Sequence, residues 1–140
     1  MTQKRTKQII SLMGLIVLLT TILLAGCDSS AQVGIFMNRS DRLQNEIWTF
    51  TAGSANGHIT RNINMTNENL AAFHVDSRGI NSGETSLIIT QGDTTKTIDL
   101  TNGFNEHIDM QEFSPGRIRL RLQFDSARNV NMVISWRAAE

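Results

Sequence analysis

The chain has 140 residues and carries 13 basic and 13 acidic side chains. This length suffices for one domain with a hydrophobic core but, once a leader is set aside, not for two. The balanced charge argues against a general nucleic-acid binder, which is expected to be clearly basic. Because the sequence has a single cysteine, the fold cannot rely on disulfides within the chain.

The first 26 residues have the pattern of a bacterial export signal. Residues 1–8 are polar and basic, and residues 9–24 are almost continuously apolar. The run ends in Leu24-Ala25-Gly26-Cys27, which resembles the lipobox of bacterial lipoproteins. The resemblance implies cleavage between Gly26 and Cys27 and a diacylglyceryl lipid, with palmitate-type chains, on the Cys27 thiol. It also implies that the protein is held on the extracytoplasmic face of the cell membrane.

On this interpretation the mature chain has two parts. Residues 27–32 are the lipidated cysteine and a short tether, and residues 33–140 are the folded domain. Three of the 13 basic residues and none of the acidic ones fall in the leader, which leaves 10 against 13, a net charge of −3. The alternative is an uncleaved transmembrane anchor, because about 17 apolar residues is the lower limit for crossing a bilayer. That alternative leaves the cysteine unexplained.

The type of cell envelope stays open. Asp28, directly after the cysteine, resembles the inner-membrane retention signal of Gram-negative lipoproteins. In a Gram-positive cell the same residue would carry no sorting meaning.

The remainder of the chain predicts an all-β fold. No stretch after residue 40 keeps a helical period over three turns, and short alternating segments are separated by glycine and asparagine. Eight or nine short strands predict a single antiparallel β-sandwich or jelly-roll-like domain, preceded by the signal helix. Turns are predicted at Asn56-Gly57 and at Gly92-Asp93. The second turn predicts a hairpin in which Gln91 opposes Thr94 and Leu87 opposes Ile98.

The strongest alternation of apolar and polar residues lies in residues 117–125 and 130–136. A five-residue loop, residues 125–129, would join these strands as a hairpin with Phe124 opposite Val130. A four-residue loop would set core residues against polar ones, which the side-chain period of two forbids.

Residues 83–136 resemble the small β-sandwich domains of Gram-positive lipoproteins. The similarity rests on the Leu87–Ile98 hairpin, the Pro115-Gly116 turn, the alternating strand that follows it, and a last strand that ends in Ile-Ser-Trp. Those domains have no assigned activity, so the resemblance implies a fold and no site.

A row of arginines is the main candidate site. Arg117, Arg119 and Arg121 lie on the predicted face opposite the core, and the predicted hairpin places Arg137 directly across from Arg117. Like charges that oppose each other destabilise a sheet. Either acids on adjacent strands neutralise the row, or the row faces an anion such as a lipid head group, a wall polymer or an acidic envelope partner. The candidate neutralising acids are Asp99, Glu106, Asp109 and Asp125.

Two histidine–aspartate pairs are the other candidates. His74 with Asp76, and His107 with Asp109, are spaced two apart, and they could supply a metal or acid–base site if they converged. Solvent-facing residues are the alternative, because no third ligand is identifiable. We find no nucleophile motif, phosphate loop or dinucleotide fingerprint, so the sequence predicts no catalytic residues, no metal and no cofactor.

The predicted role is therefore a lipid-anchored cell-envelope protein with a non-enzymatic binding or structural domain, whose partner is not a nucleic acid. A module that binds a solute or a glycan is the alternative, and a hydrolase with dispersed acids is a third. Trp48 and Trp136 fall among large apolar residues and are expected in the core. The absence of tyrosine also argues against a sugar-stacking platform.

Overall fold

The computed structural model describes residues 30–138, and the leader, Gly26 and Cys27 lie outside them. The described chain is mostly strand, in one open antiparallel sheet of eight strands, so the all-β prediction is confirmed. The elements are β1 (Ser30–Met37), β2 (Ser40–Gln44), β3 (Ile47–Met65), α1 (Asn67–Ala71), β4 (His74–Ser77), β5 (Ser82–Gln91), β6 (Thr94–Asp99), β7 (Phe104–His107) and β8 (Gly116–Ser135).

Two long strands form the centre of the sheet. β3 has 19 residues and β8 has 20, and they pair from Ile47 opposite Ser135 to Met65 opposite Gly116. β1 and β2 pair with successive parts of β3, while β5 and β4 pair with successive parts of β8. β6 extends β5, and β7 extends β4.

This pairing divides the sheet into two halves. The first half-sheet contains β1, residues 54–65 of β3, residues 116–125 of β8, β5 and β6. The second half-sheet contains β2, residues 47–52 of β3, residues 130–135 of β8, β4 and β7.

The two half-sheets face each other across one core. Trp48 and Arg61 lie 13 residues apart on β3, which in a straight strand would separate them by about 40 Å. The guanidinium carbon of Arg61 nevertheless lies 5.2 Å from the centre of the Trp48 ring. The long pair must therefore bend sharply between these residues, and the bend gives a single sheet the two packed layers of a sandwich.

Three phenylalanines mark the contact between the layers. Phe50 of the second half-sheet and Phe124 of the first have ring centres 5.1 Å apart. Phe36 of β1 meets both rings edge-on, at 6.1 and 5.8 Å. Phe50 and Phe124 are fully buried, and aromatic contacts of this kind add to the stabilisation from burial alone. Trp48 and Trp136 are also buried, as the sequence predicts.

Residues with positive φ permit the bend. Gly34 (φ 130°) and Gly57 (φ 125°) face each other on β1 and β3, and the register of β3 with β8 shifts between Ala55 and Gly57. A Cβ atom on Gly34 would lie 2.1 Å from the carbonyl oxygen of Asn56, so only glycine fits there. At the register shift, β8 has two residues opposite one of β3, a bulge in which Ser126 has φ 50°.

Two predicted turns are wrong for the same reason. Asn56-Gly57 lies within β3, and residues 125–129 lie within β8, so each pair of predicted short strands is one long strand. Phe124 consequently opposes Gly57 rather than Val130. A bulge interrupts the side-chain period much as a turn does, and the local pattern cannot tell them apart.

The Gly92-Asp93 turn is confirmed. In the β5–β6 hairpin Gln91 opposes Thr94 and Leu87 opposes Ile98, as predicted. At the other end of the chain, β1 begins at Ser30, inside the segment predicted as the tether. The strand therefore starts three residues after Cys27.

Helix α1 is hydrogen-bonded to the chain directly after β8. Thr66 caps the helix, and its hydroxyl accepts a hydrogen bond from the backbone N–H of Asn69. The buried Asn69 amide donates in turn to the Trp136 carbonyl (2.7 Å) and to a Glu46 carboxylate oxygen (3.0 Å). The helix thus joins the β2–β3 turn to the last residues of the second half-sheet.

Replacing Gly34 by alanine should destabilise the domain. The new methyl group would clash with the backbone of β3, and alanine disfavours φ 130°. We expect the free energy of unfolding to fall by about 2 kcal/mol or more, measured by chemical denaturation. Gly92→Asn is the matched control, because Gly92 has φ 57°, which asparagine tolerates, and open space around it. Equal stability of the two variants would contradict the close approach of the β1 and β3 backbones at Gly34.

Candidate functional site

The arginine row lies on the outer face of the first half-sheet, the face that points away from the core. Arg117, Arg119 and Arg121 alternate along β8 with the fully buried Ile118 and Leu120. Arg117 and Arg119 are exposed, and Arg121 is half-buried. A strand period of two therefore predicted this part of the row correctly.

Arg121 is held by its neighbours. Its guanidinium donates to the Gln123 side-chain oxygen at 2.9 Å and lies 3.2 Å from Nδ1 of His58. Across β3, the residues opposite the row are polar and uncharged: Asn64, Asn62 and Thr60.

None of the three ion pairs in residues 30–138 involves the row. Asp99 and Asp125 line a groove of about 450 Å³ further along the same half-sheet, together with Glu84. Glu106 lies on β7 in the second half-sheet, and the Asp109 carboxylate accepts from the backbone N–H of Gln111. The candidate counter-ions form no ion pair with the row within residues 30–138, so no direct contact neutralises the exposed Arg117 and Arg119.

Arg137 does not belong to this row, so its predicted position is wrong. It follows the end of β8 and lines a cavity of about 550 Å³ with His74, His107 and Glu68. Because β8 continues through residues 125–129, the residue opposite Arg117 is Asn64 and not Arg137.

An apolar stripe runs along β1 at the edge of the same half-sheet. Val33, Ile35 and Met37 are 60%, 72% and 60% exposed, while Phe36 between them packs on the core. These three are the exposed large apolar side chains of residues 30–138. An exposed apolar edge strand is a typical site for contact with another surface. The sequence showed an apolar segment here but not which side chains point outward.

The stripe and the row share one face. Val33 opposes His58 on β3, and His58 opposes Gln123 on β8. Two residues further along these strands, toward the start of β1, Ala31 opposes Thr60, and Thr60 opposes Arg121. Directly paired residues of adjacent strands lie on the same face, so the stripe and the row share the outer face with β3 between them. They are offset along the strands: Val33 is about 12 Å from Arg121, whereas Ile35 and Met37 are about 20 Å or more from Arg119 and Arg117.

A buried charge cluster joins the half-sheets on their inner side. Asp41 of β2 forms an ion pair with Arg61 of β3 at 2.6 Å, and their side chains are 7% and 15% exposed. The indole N–H of Trp48 donates to the same carboxylate oxygen at 2.9 Å, and Arg39 binds the other oxygen at 2.9 Å. The sequence did not predict the Asp41–Arg61 pair, whose residues lie 20 positions apart.

The environment of Asp41 favours its charged form. Burial alone would raise the pKa of Asp41, but the hydrogen bonds from Arg61 and Trp48, with the positive charges of Arg61 and Arg39, outweigh it. The pKa of this carboxyl therefore lies below its ordinary 3.8. The cluster connects the layers.

The histidines converge in part. His74 opposes His107 in the β4–β7 pair, and their ring centres lie 4.9 Å apart. Asp76 opposes Asn105 instead, and Asp109 lies beyond the end of β7. Within residues 30–138, no group of three or more histidine, cysteine, aspartate or glutamate side chains is placed to hold a metal ion.

Comparisons with protein families, curated proteins and solved structures gave no match to this chain. Among the helices of the described region, none has the length and apolar character needed to cross a membrane.

The Asp41–Arg61 pair leads to a stability prediction. Asp41→Asn leaves the mostly buried Arg61 without a counter-charge, and we expect the free energy of unfolding to fall by about 3 kcal/mol near neutral pH. Because the folded-state pKa of Asp41 is lowered, the contribution of the carboxylate is present above pH 3.8 and is lost as the pH falls through the folded pKa. Denaturation from neutral pH downward should show the wild-type and variant stabilities converging in acid.

Asp93→Asn provides the control, because Asp93 is exposed in the β5–β6 turn. Its stability should follow that of the wild type at every pH. An Asp41→Asn protein as stable as the wild type at neutral pH would refute the assigned cluster.

Unlike Asp41, the exposed arginines are expected to contribute little to the stability of the fold. Arg117→Gln with Arg119→Gln removes two like charges that make no ion pair in the described chain, so the unfolding free energy should change by no more than about 0.5 kcal/mol. Thermal denaturation checks this. A loss several times larger would show that the row stabilises the fold.

Proposed function

We propose that the protein is a bacterial lipoprotein whose β-domain is held at the extracytoplasmic face of the cell membrane by lipid on Cys27. The observation that carries the proposal is the order of features at the N-terminus. A basic segment, an apolar segment and Leu24-Ala25-Gly26-Cys27 follow one another, and the last of these holds the only cysteine of the chain. Lipoprotein processing requires small residues before a cysteine whose thiol accepts the diacylglyceryl group.

The domain boundary supports a short tether. β1 begins at Ser30, and three residues of extended chain reach at most about 11 Å. A diacyl anchor holds a protein stably where one acyl chain would release it. Lipid on Cys27 would therefore keep β1 next to the bilayer surface.

We propose a non-enzymatic binding or structural role for the domain. Its most distinctive surface is the face that carries the arginine row and the apolar stripe, rather than a cleft with converging acids or histidines. The buried positions of Trp48 and Trp136 favour this role over glycan binding, because neither ring is available to stack on a sugar.

Replacing Cys27 by alanine tests the anchoring. The wild-type protein, isolated from bacterial membranes, should have the mass of residues 27–140 plus a diacylglyceryl group. Without the thiol the lipid cannot be attached, and we expect Cys27→Ala to keep its leader and to carry no lipid. Intact-mass spectrometry measures both.

Ser30→Ala is the matched control for a single change near the junction, and its processing should equal that of the wild type. A wild-type protein that carries the unmodified, uncleaved chain would refute the lipoprotein proposal and favour a transmembrane anchor.

A further inference from the structure

We propose that the outer face of the first half-sheet docks on an anionic lipid bilayer. The apolar stripe (Val33, Ile35 and Met37) enters the head-group region, and the exposed Arg117 and Arg119 of the arginine row bind lipid phosphates. The proposal rests on the proposed anchoring at Cys27 for its geometry, and it adds which surface of the domain the membrane contacts.

The two parts of this face match the two parts of a bilayer surface. Surface-bound segments bury apolar side chains at the boundary of head groups and acyl chains, and they hold anionic lipids with basic side chains. The three stripe residues are each at least 60% exposed. Guanidinium groups bind phosphate in a bidentate manner, and those of Arg117 and Arg119 make no ion pair within residues 30–138.

The start of β1 aligns this face with the anchor. Ser30 opposes Arg61 on β3, and Arg61 opposes Leu120 on β8, which lies between Arg119 and Arg121. The chain therefore enters the domain beside the arginine row. With Cys27 no more than about 11 Å from Ser30, an acyl chain in the bilayer places the row within reach of the head groups.

The acids on this half-sheet set the direction of approach. Glu84 and Asp125 oppose each other on β5 and β8, and with Asp99 they line the groove beyond Gln123. These acids lie level with Val33 and Ile35, and an anionic surface repels them while it attracts the row. The Ser30 end should therefore approach the membrane most closely, with Val33 as the stripe residue nearest to the row. A second copy of the chain could cover the apolar stripe, but it would not account for arginines beside the point where the anchor leaves.

A fluorescent label on the stripe tests the docking. Ile35→Cys in the full chain, produced in bacteria and reconstituted from purified membranes, is labelled with an environment-sensitive nitrobenzoxadiazole group. Vesicles contain either phosphatidylcholine alone or phosphatidylcholine with phosphatidylglycerol. Emission should shift to shorter wavelength in the anionic vesicles only, and added salt should reduce the shift because it screens the arginine charges.

Matched variants assign the effect to the face. Adding Arg117→Gln and Arg119→Gln should abolish most of the shift. Adding Arg42→Gln and Arg78→Gln removes the same charge from exposed positions outside this face and should preserve it. A label at Asn105→Cys, on β7 in the second half-sheet, should not respond.

The outcomes separate the docking from the anchoring. The mass of the labelled protein shows whether Cys27 carries lipid or a second label, and so reports on the anchor independently of the emission. Equal emission in neutral and anionic vesicles would overturn the docking. An equal loss of the emission shift in the Arg117/Arg119 and the Arg42/Arg78 double variants would overturn it as well. A shift that grows with protein density in neutral vesicles would also overturn it and would assign the stripe to a second copy.

Discussion

The antiparallel pairing of β3 with β8 is the constraint on which the rest of the structure depends. Every other strand is added to one edge of this pair or to a strand that already lies on it. A flat pair of this length would leave one apolar face without a partner. The bulge of β8 at Ser126, beside Gly57 of β3, lets the pair bend, so that Phe50 and Phe124 meet. One sheet thereby encloses a core that normally requires two.

The bend determines the chemistry of both faces. On the inner side it brings Asp41 against Arg61, so a charge that would disrupt an apolar face becomes part of a hydrogen-bonded link between layers. On the outer side it leaves the arginine row and the apolar stripe exposed on the same half-sheet. The proposed membrane contact needs both, since charge attracts the lipid surface and the stripe enters it.

Local sequence patterns predicted the structural features that local interactions determine. The β5–β6 hairpin was predictable because Gly92-Asp93 sets its register alone, and the exposed Arg117 and Arg119 followed from alternation with Ile118 and Leu120. Asn56-Gly57 was misread as a turn because long-range pairing with β8 keeps this segment in a strand. The Asp41–Arg61 pair could not be predicted, since its partners lie 20 residues apart and meet only after the bend.

The central claim is that β8 continues through residues 125–129 and pairs with β3 on both sides of the bend. Cross-strand Hα–Hα nuclear Overhauser effects of the folded domain test it most directly. The account predicts contacts that join Ala52 with Val130 and Gly57 with Phe124, together with contacts between the rings of Phe50 and Phe124. Backbone contacts between Phe124 and Val130, as in a hairpin, would contradict it.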